Sequence, residues 1–146
     1  MTQDKDFFLP IKPDNTGPIE SLPGAQDMDK NIVDPIIELS TIELDIIKEA
    51  NRYRKSAGVP DLVPDNNLMI TARNQSRLMN KNKKLKHSDG NKDGWMAENI
   101  AYGQRTAIEV VQSWYNSAGH RLNMLNKKYT RIGVGKSGQY WTQQFK

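Results

Sequence analysis

The chain has 146 residues, a net charge of +4 at pH 7 and no cysteine. This length suits one domain with its own core plus an appendage, and the missing cysteines exclude disulfides, thiolate catalysis and Cys-based metal sites. No apolar run reaches the ~20 residues of a membrane-spanning helix, and the first residues do not read as a secretory signal peptide.

Charge is distributed unevenly along the chain. Residues 1–40 carry eight acidic residues and three lysines, whereas the rest carries eighteen basic and nine acidic residues. A basic body attracts anionic surfaces, acidic glycans or nucleic acid, and it can equally be held by its own acidic segment. Because no zinc finger or RNP-type strand accompanies the charge, we expect no nucleic-acid partner.

Residues 1–40 form a region of their own, with five of the seven prolines and no sustained apolar periodicity. Proline removes a backbone donor and favours extended neighbours, so we predict an extended, proline-rich acidic arm. Its apolar cluster, Phe7, Phe8, Leu9 and Ile11, is the candidate surface for binding a partner. The alternative is a linker or tail without a contact. Residues 41–146 are the predicted folded domain.

Three helices are predicted from their start signals. Ser40 and Glu43 form a capping box before an apolar pattern that ends near Gly58. Asp65 is the N-cap of a second helix, which runs into a lysine-rich end where positive charge is favourable. Thr106 and Glu109 form the capping box of a third helix, and residues 120–125 add one or two further turns.

The C-terminal part of the domain predicts a small sheet. Residues 131–136 and 139–145 alternate around Ser137-Gly138, which is typical of a β-hairpin. Glu98–Tyr102 is the best candidate for a third strand, and Gly133 and Gly135 indicate close packing against another backbone. Residues 89–95 read as a loop rather than a calcium site, since the later glutamate of an EF-hand is missing. The fold class is therefore α+β, with helices packed on a mainly antiparallel sheet.

Three ionisable residues are candidates for a polar site. His87 and His120 are the only histidines, and Glu98 lies in a segment of apolar neighbours, where a carboxylate needs hydrogen-bonding partners. The three lie on separate elements, so their spacing alone does not place them together.

The stretch from Leu44 to Lys146 resembles the CAP superfamily of cysteine-rich secretory, antigen 5 and pathogenesis-related 1 proteins, in its short cysteine-free bacterial form. The matching segments, in the family's order, are His87-Ser88, Ala97-Glu98-Asn99-Ile100-Ala101, Trp114-Tyr115-Asn116-Ser117-Ala118-Gly119-His120-Arg121, Asn123-Met124-Leu125, Tyr129-Thr130, Ile132-Gly133-Val134-Gly135 and Tyr140-Trp141-Thr142-Gln143. The resemblance implies an α-β-α sandwich with a cleft lined by two histidines and two glutamates. His87, Glu98 and His120 match three of these, but Ser117 occupies the position of the second glutamate.

The resemblance leaves several chemistries open for a cleft made of His87, Glu98, His120, Ser117, Asn99 and Ser88. Two imidazoles and a carboxylate are ligands of an open zinc site, so His87, His120 and Glu98 are candidate ligands of zinc or another divalent metal. A metal-free alternative uses Glu98 to orient a histidine for proton transfer. A third alternative is structural, with Glu98 tying the elements together. No catalytic residue is assigned and no cofactor is required.

Three functions follow as expectations. The first is a non-enzymatic CAP-like module that binds a small ligand or protein partner on a surface or in the extracellular space. The second is a component of a larger assembly, such as a cell-surface complex or a phage particle, docked by the N-terminal arm. The third is a hydrolase acting on proteins or cell-wall polymers.

Overall fold

A computed structural model describes residues 37–90 and 94–146. The elements are α1 (Thr41–Ser56), β1 (Val63–Pro64), α2 (Asn66–Asn82), β2 (Ala97–Tyr102), α3 (Ala107–Tyr115), α4 (Ala118–Leu125), β3 (Arg131–Ser137) and β4 (Tyr140–Phe145). Phe7, Phe8, Leu9 and Ile11, the predicted partner-binding cluster, lie outside the described residues. Of the described helices, none is both long and apolar enough to cross a membrane.

The helix starts are where the capping signals place them. Ser40 and Glu43 form the complete capping box of α1, and the Asp65 side chain accepts a hydrogen bond from the Leu68 N–H at the start of α2. In α3 the Thr106 hydroxyl accepts from the Glu109 N–H, but the Glu109 carboxylate returns to the N–H of Arg105, one residue before the cap. These local polar contacts satisfy N–H groups that the helices leave open, which is why the sequence alone locates them.

The sheet has four strands in the order β1-β3-β4-β2. The predicted hairpin forms β3 and β4, and β2 pairs antiparallel with β4 from Ala97 opposite Phe145 to Tyr102 opposite Tyr140. β1 is a two-residue strand, parallel to β3, that the sequence analysis did not anticipate. The α+β class with a mainly antiparallel sheet is confirmed.

The helices cover both faces of this sheet. α2 packs on one face, where Gly133 and Gly135 of β3 let the strand approach the helix backbone: a Cβ on Gly133 would lie 2.2 Å from the Leu68 carbonyl carbon. The main core occupies the other face, between the sheet and the helices α1, α3 and α4, with Trp114 and Trp141 fully buried. The close packing predicted from the two glycines is therefore confirmed, and the architecture is an α-β-α sandwich.

A buried arginine closes the end of this core. Arg54 of α1 is 1% exposed, and its guanidinium donates to four main-chain carbonyls, those of Pro60, Met124, Asn126 and Tyr129. Burial lowers the pKa of Arg54, partly offset by the charge of Asp61. One side chain thus ties the end of α1 to the segment that leads from α4 into β3.

An ion pair ties the start of α1 to α2. Arg73 donates from Nε and Nη2 to the two carboxylate oxygens of Glu43, at 2.8 and 2.7 Å, and also to the Glu38 carbonyl at 2.9 Å. Burial by itself would raise the pKa of Glu43, but hydrogen bonds from Arg73 and the Ser40 N–H, with the Arg73 charge, outweigh it and hold that pKa below its ordinary value of 4.5.

The Glu43 pair predicts a pH-dependent contribution to stability. A carboxyl group whose pKa is lower in the folded state stabilises fully above its unfolded pKa and loses that contribution as pH falls through the folded value. We expect Glu43→Gln to lower the free energy of unfolding by about 2 kcal/mol at pH 7 and by progressively less as pH falls below the ordinary glutamate pKa of 4.5, measured by urea denaturation. Glu38→Gln, which changes an exposed carboxylate, is the control. An equal loss for Glu43→Gln at both pH values would contradict the prediction.

Candidate functional site

Glu98 lies on β2 with its carboxylate fully buried and both oxygens occupied. Oε1 accepts hydrogen bonds from His87 Nδ1 at 2.7 Å and the Ser88 N–H at 2.9 Å. Oε2 accepts from the Ser88 hydroxyl at 2.5 Å and Gln144 Nε2 at 2.8 Å. Four donors therefore compensate the cost of burying this charge, as the sequence analysis required of a carboxylate in an apolar segment.

Gln144 of β4 stands directly opposite Glu98 in the strand register. Its own carbonyl oxygen accepts a hydrogen bond from the Thr71 hydroxyl of α2 at 2.5 Å, which fixes the amide with its nitrogen toward Glu98. Helix α2 thereby orients Gln144, and Gln144 orients the carboxylate. Neither Thr71 nor Gln144 was predicted as a site residue; the available signal in the sequence was the polar run Thr142-Gln143-Gln144 between aromatic residues of the strand.

His87 is held in one orientation by its neighbours. Gln75 of α2 donates to the carbonyl of Lys86, which positions the segment, and Glu98 accepts from the His87 ring at Nδ1. Because the partner is a carboxylate, we assign a proton to Nδ1; in the neutral imidazole Nε2 is then an acceptor. Nε2 is buried, and within residues 37–90 and 94–146 no group forms a hydrogen bond with it.

Asn99, the next residue of β2, builds a second polar group. Its amide donates to the His120 carbonyl at 3.1 Å and to the Gln143 side chain at 3.0 Å, and its oxygen accepts from Asn123 at 2.9 Å. All four residues are buried. This network joins α4 to β2 and β4, so Asn99 fixes the position of His120 through the main chain.

The His120 ring, fully buried, lies 2.8 Å from the Ser117 hydroxyl through its Nδ1. Ser117 is the N-cap residue of α4, but its side chain makes no capping hydrogen bond and contacts the imidazole instead. The residue at the position of the family's second glutamate is thus a partner of the second histidine.

The structure arranges the predicted residues in two hydrogen-bonded groups. Successive strand residues point to opposite faces of a sheet, so Glu98 and Asn99 project to opposite faces of β2. His87 and Ser88 belong with Glu98, on the α2 face, and His120 belongs with Ser117 and Asn99. A single cleft shared by all of them stays a prediction.

The residues as placed do not form a ready metal site. Across residues 37–90 and 94–146, no three or more His, Cys, Asp or Glu side chains are grouped so as to hold a metal ion. Both Glu98 oxygens are also committed to hydrogen-bond donors. His87, His120 and Glu98 do not fit the three-ligand zinc geometry in this arrangement.

Comparison with known proteins shows a match to a protein family. A family model described as CAP, the cysteine-rich secretory protein family, matches residues 47–145. The uncharacterized protein YkwD of Bacillus subtilis (strain 168) is 38% identical over 122 residues, which cover 73% of this chain and 48% of YkwD. The chain thus spans about half the length of that relative.

Solved structures agree with the fold. An extracellular protein containing an SCP domain from Bacillus anthracis superimposes with a TM-score of 0.67 at 29% identity, covering 70% of this chain and 39% of that one. An outer surface protein of Borrelia burgdorferi gives a TM-score of 0.62 at 19% identity, covering 68% of this chain and 87% of that one. At that identity the second likeness concerns the fold alone.

Proposed function

The chain belongs to the CAP, or cysteine-rich secretory protein, family, and we propose that it is an extracellular binding domain rather than an enzyme, with His87 as its recognition residue. The observation that carries the proposal is the His87 ring, whose Nδ1 is fixed by Glu98 and whose Nε2 is a buried acceptor without a hydrogen-bond partner in the described part of the chain. A ligand that binds this atom supplies one N–H or O–H donor, and it reaches Nε2 only when the side chains that cover the ring move.

The proposed location rests on the Bacillus anthracis relative, which is described as an extracellular protein. The absence of cysteine does not oppose it, because a core packed on both sheet faces and a network of buried hydrogen bonds supply the stability that disulfides give other small secreted domains.

The hydrogen bonds already made by Glu98 and Ser88 favour binding over catalysis. Glu98 is saturated by four donors, so it orients His87 and has no free lone pair directed at a substrate. The Ser88 hydroxyl donates to Glu98, not to an imidazole, which leaves it without a base. Ser117 replaces the second carboxylate of the family, so paired acid–base catalysis lacks one partner.

The recognition role of His87 is tested with small molecules that carry one donor. In a ligand-observed NMR screen of amide and alcohol fragments, we expect hits on the native protein to bind about three- to tenfold more weakly to His87→Ala, because one hydrogen bond is lost. Lys86→Gln, an exposed change at the adjacent residue, is the matched control and should retain the hits. Nitrogen NMR of the ring should show Nδ1 protonated and Nε2 bare.

Two outcomes would contradict the proposal. One is a set of fragment hits that bind His87→Ala and the native protein equally. The other is turnover of a peptide or cell-wall substrate that disappears in both His87→Ala and His120→Ala while both variants stay folded, because this is the result that a hydrolase predicts.

Zinc provides a separate test of the ligand class. His87 has the form of a metal ligand with a supporting carboxylate, but one imidazole does not make a strong zinc site. In calorimetric titration of chelator-treated protein at micromolar concentration, we expect the heat of zinc binding to be the same for the native protein and for His87→Ala. A tight signal that weakens at acidic pH and is lost in both His87→Ala and His120→Ala would instead support a histidine zinc site.

A further inference from the structure

The segment at the C-terminal end of α2 is basic. Residues 81–86 include four lysines, and from Asn66 to Ser88 the chain contains no aspartate or glutamate. Lys86 pairs with Asp89. The other three lysines are exposed, and none of them forms an ion pair with a carboxylate among residues 37–90 and 94–146: Lys81, Lys83 and Lys84. Short lysine-rich segments of this kind are typical of surfaces that bind nucleic acids or sulfated glycans.

The backbone at the end of α2 holds this lysine segment against the domain. Lys83 adopts the left-handed conformation with a φ of 53°, and its N–H bonds to the Met79 carbonyl, so the helix ends there. Leu85 then packs against a buried cluster of Met79, Ile100 and Tyr140. The lysines on either side of Leu85 are therefore carried on an anchored stretch of chain, while their side chains stay exposed to solvent.

An exposed aromatic ring borders the same cluster. Tyr102, the last residue of β2, is 40% exposed, and its ring centre lies 4.7 Å from that of Tyr140. Because strand residues alternate between the two faces of a sheet, Tyr102 lies on the same face as Ile100, which packs with Met79 of α2. The Tyr102 ring and the lysine segment therefore lie on one side of the sheet and border one buried cluster.

We propose that Lys81, Lys83, Lys84 and Tyr102 form a surface that binds an acidic polysaccharide. Lysine ammonium groups pair with the carboxylate or sulfate groups of such a glycan, and an exposed aromatic ring packs on the apolar face of a sugar. Lys83 donates to the Asn80 amide oxygen at 2.8 Å, and an anionic acceptor forms a stronger hydrogen bond than this neutral one.

The composition of the surface favours this partner over other anions. Single-stranded nucleic acids are bound by several aromatic rings in succession, whereas Tyr102 is the only exposed ring that the described residues place here. A helix that lies on a membrane presents a continuous apolar face, but the last turns of α2 expose Leu78 among polar and basic side chains. Each exposed ion pair is weak and screened by salt, so binding requires a repeating anionic chain that engages several lysines at once.

A fluorescent heparin hexasaccharide is the probe, and its anisotropy with the full chain measures the dissociation constant. We expect binding at low ionic strength that is lost at ~1 M salt, where the Debye length falls to ~3 Å. Lys81→Glu with Lys84→Glu should weaken binding about tenfold or more, because two attractions become repulsions. Tyr102→Thr should weaken it about three- to tenfold, whereas Tyr102→Phe, which keeps the ring, should bind like the native protein.

The matched control is Lys127→Glu with Lys128→Glu, which changes the net charge equally at an exposed site after α4 and should bind heparin like the native protein. Inorganic polyphosphate reports on charge alone, so its binding should weaken in the variant with Lys81→Glu and Lys84→Glu but not in Tyr102→Thr.

Four outcomes would overturn the proposal. The first is equal weakening of heparin binding by the control pair, and the second is heparin binding that does not change in Tyr102→Thr. The third and fourth are tighter binding of an oligothymidylate or of phosphatidylglycerol vesicles than of heparin, because the surface would then bind a nucleic acid or a membrane.

Discussion

Glu98→Ala is expected to lower the free energy of unfolding by about 3–5 kcal/mol. The substitution leaves four donors buried without their acceptor: the His87 ring, the N–H and hydroxyl of Ser88, and the Gln144 amide. It also releases the segment after α2 from the edge of the sheet. Urea denaturation measures the loss, and the His87 ring signals should report a ring that is no longer held in one orientation.

The matched control for Glu98 is Asp45→Ala, which removes an exposed carboxylate from α1 and should change stability by less than about 0.5 kcal/mol. Glu98→Gln keeps the shape but cannot accept at both ends, so an intermediate loss is expected. A loss below about 1 kcal/mol for Glu98→Ala would show that the network does not hold the elements together.

Arg54→Met is expected to cost a similar 3–5 kcal/mol. Methionine fills the stem volume of arginine but removes the guanidinium donor from four main-chain carbonyls at the junction of α1 with the α4–β3 segment, and the bonds to Met124 and Tyr129 are buried. Arg54→Lys should recover only part of the loss, because an ammonium group cannot reproduce the planar fork. Hydrogen exchange should show the main-chain amides of residues 126–132 opening together.

Arg52→Met is the control on the same helix. Its guanidinium pairs with Glu49 at the surface, where the side chain is 57% exposed, and exposed pairs of this kind contribute about 0–1 kcal/mol. Equal destabilisation by Arg52→Met and Arg54→Met would refute the interpretation that the hydrogen bonds from Arg54 to main-chain carbonyls stabilise the fold.

Both predictions concern side chains that make the recognition residue possible. Glu98 fixes His87, Gln144 fixes Glu98, and Thr71 fixes Gln144, so three elements must be in place before His87 presents one acceptor. Such preorganisation reduces the entropy that binding has to offset. A binding role for His87 therefore depends on the fold as a whole.

The sequence by itself determined most of the elements and the starts of the first three helices, although it did not predict β1. Capping residues such as Ser40 and Asp65 act within one turn of the chain, the hairpin is set by alternation around Ser137-Gly138, and the need for a glycine at position 133 follows from packing on a backbone. These signals act between residues that are close along the chain, so they can be recognised in the sequence alone. The α-β-α sandwich itself was implied by the resemblance to the CAP superfamily.

Only the tertiary structure decided which side chains meet. The sequence identifies His87, Glu98 and His120 as candidates. It does not show that Glu98 and Asn99 belong to separate hydrogen-bond networks on opposite faces of β2, or that Ser117 contacts His120. Arg54 reads as an ordinary surface residue of an amphipathic helix, and its carbonyl partners at Met124 and Tyr129 lie 70 and 75 residues away. Contacts across such distances depend on how the layers pack, and no local pattern encodes them.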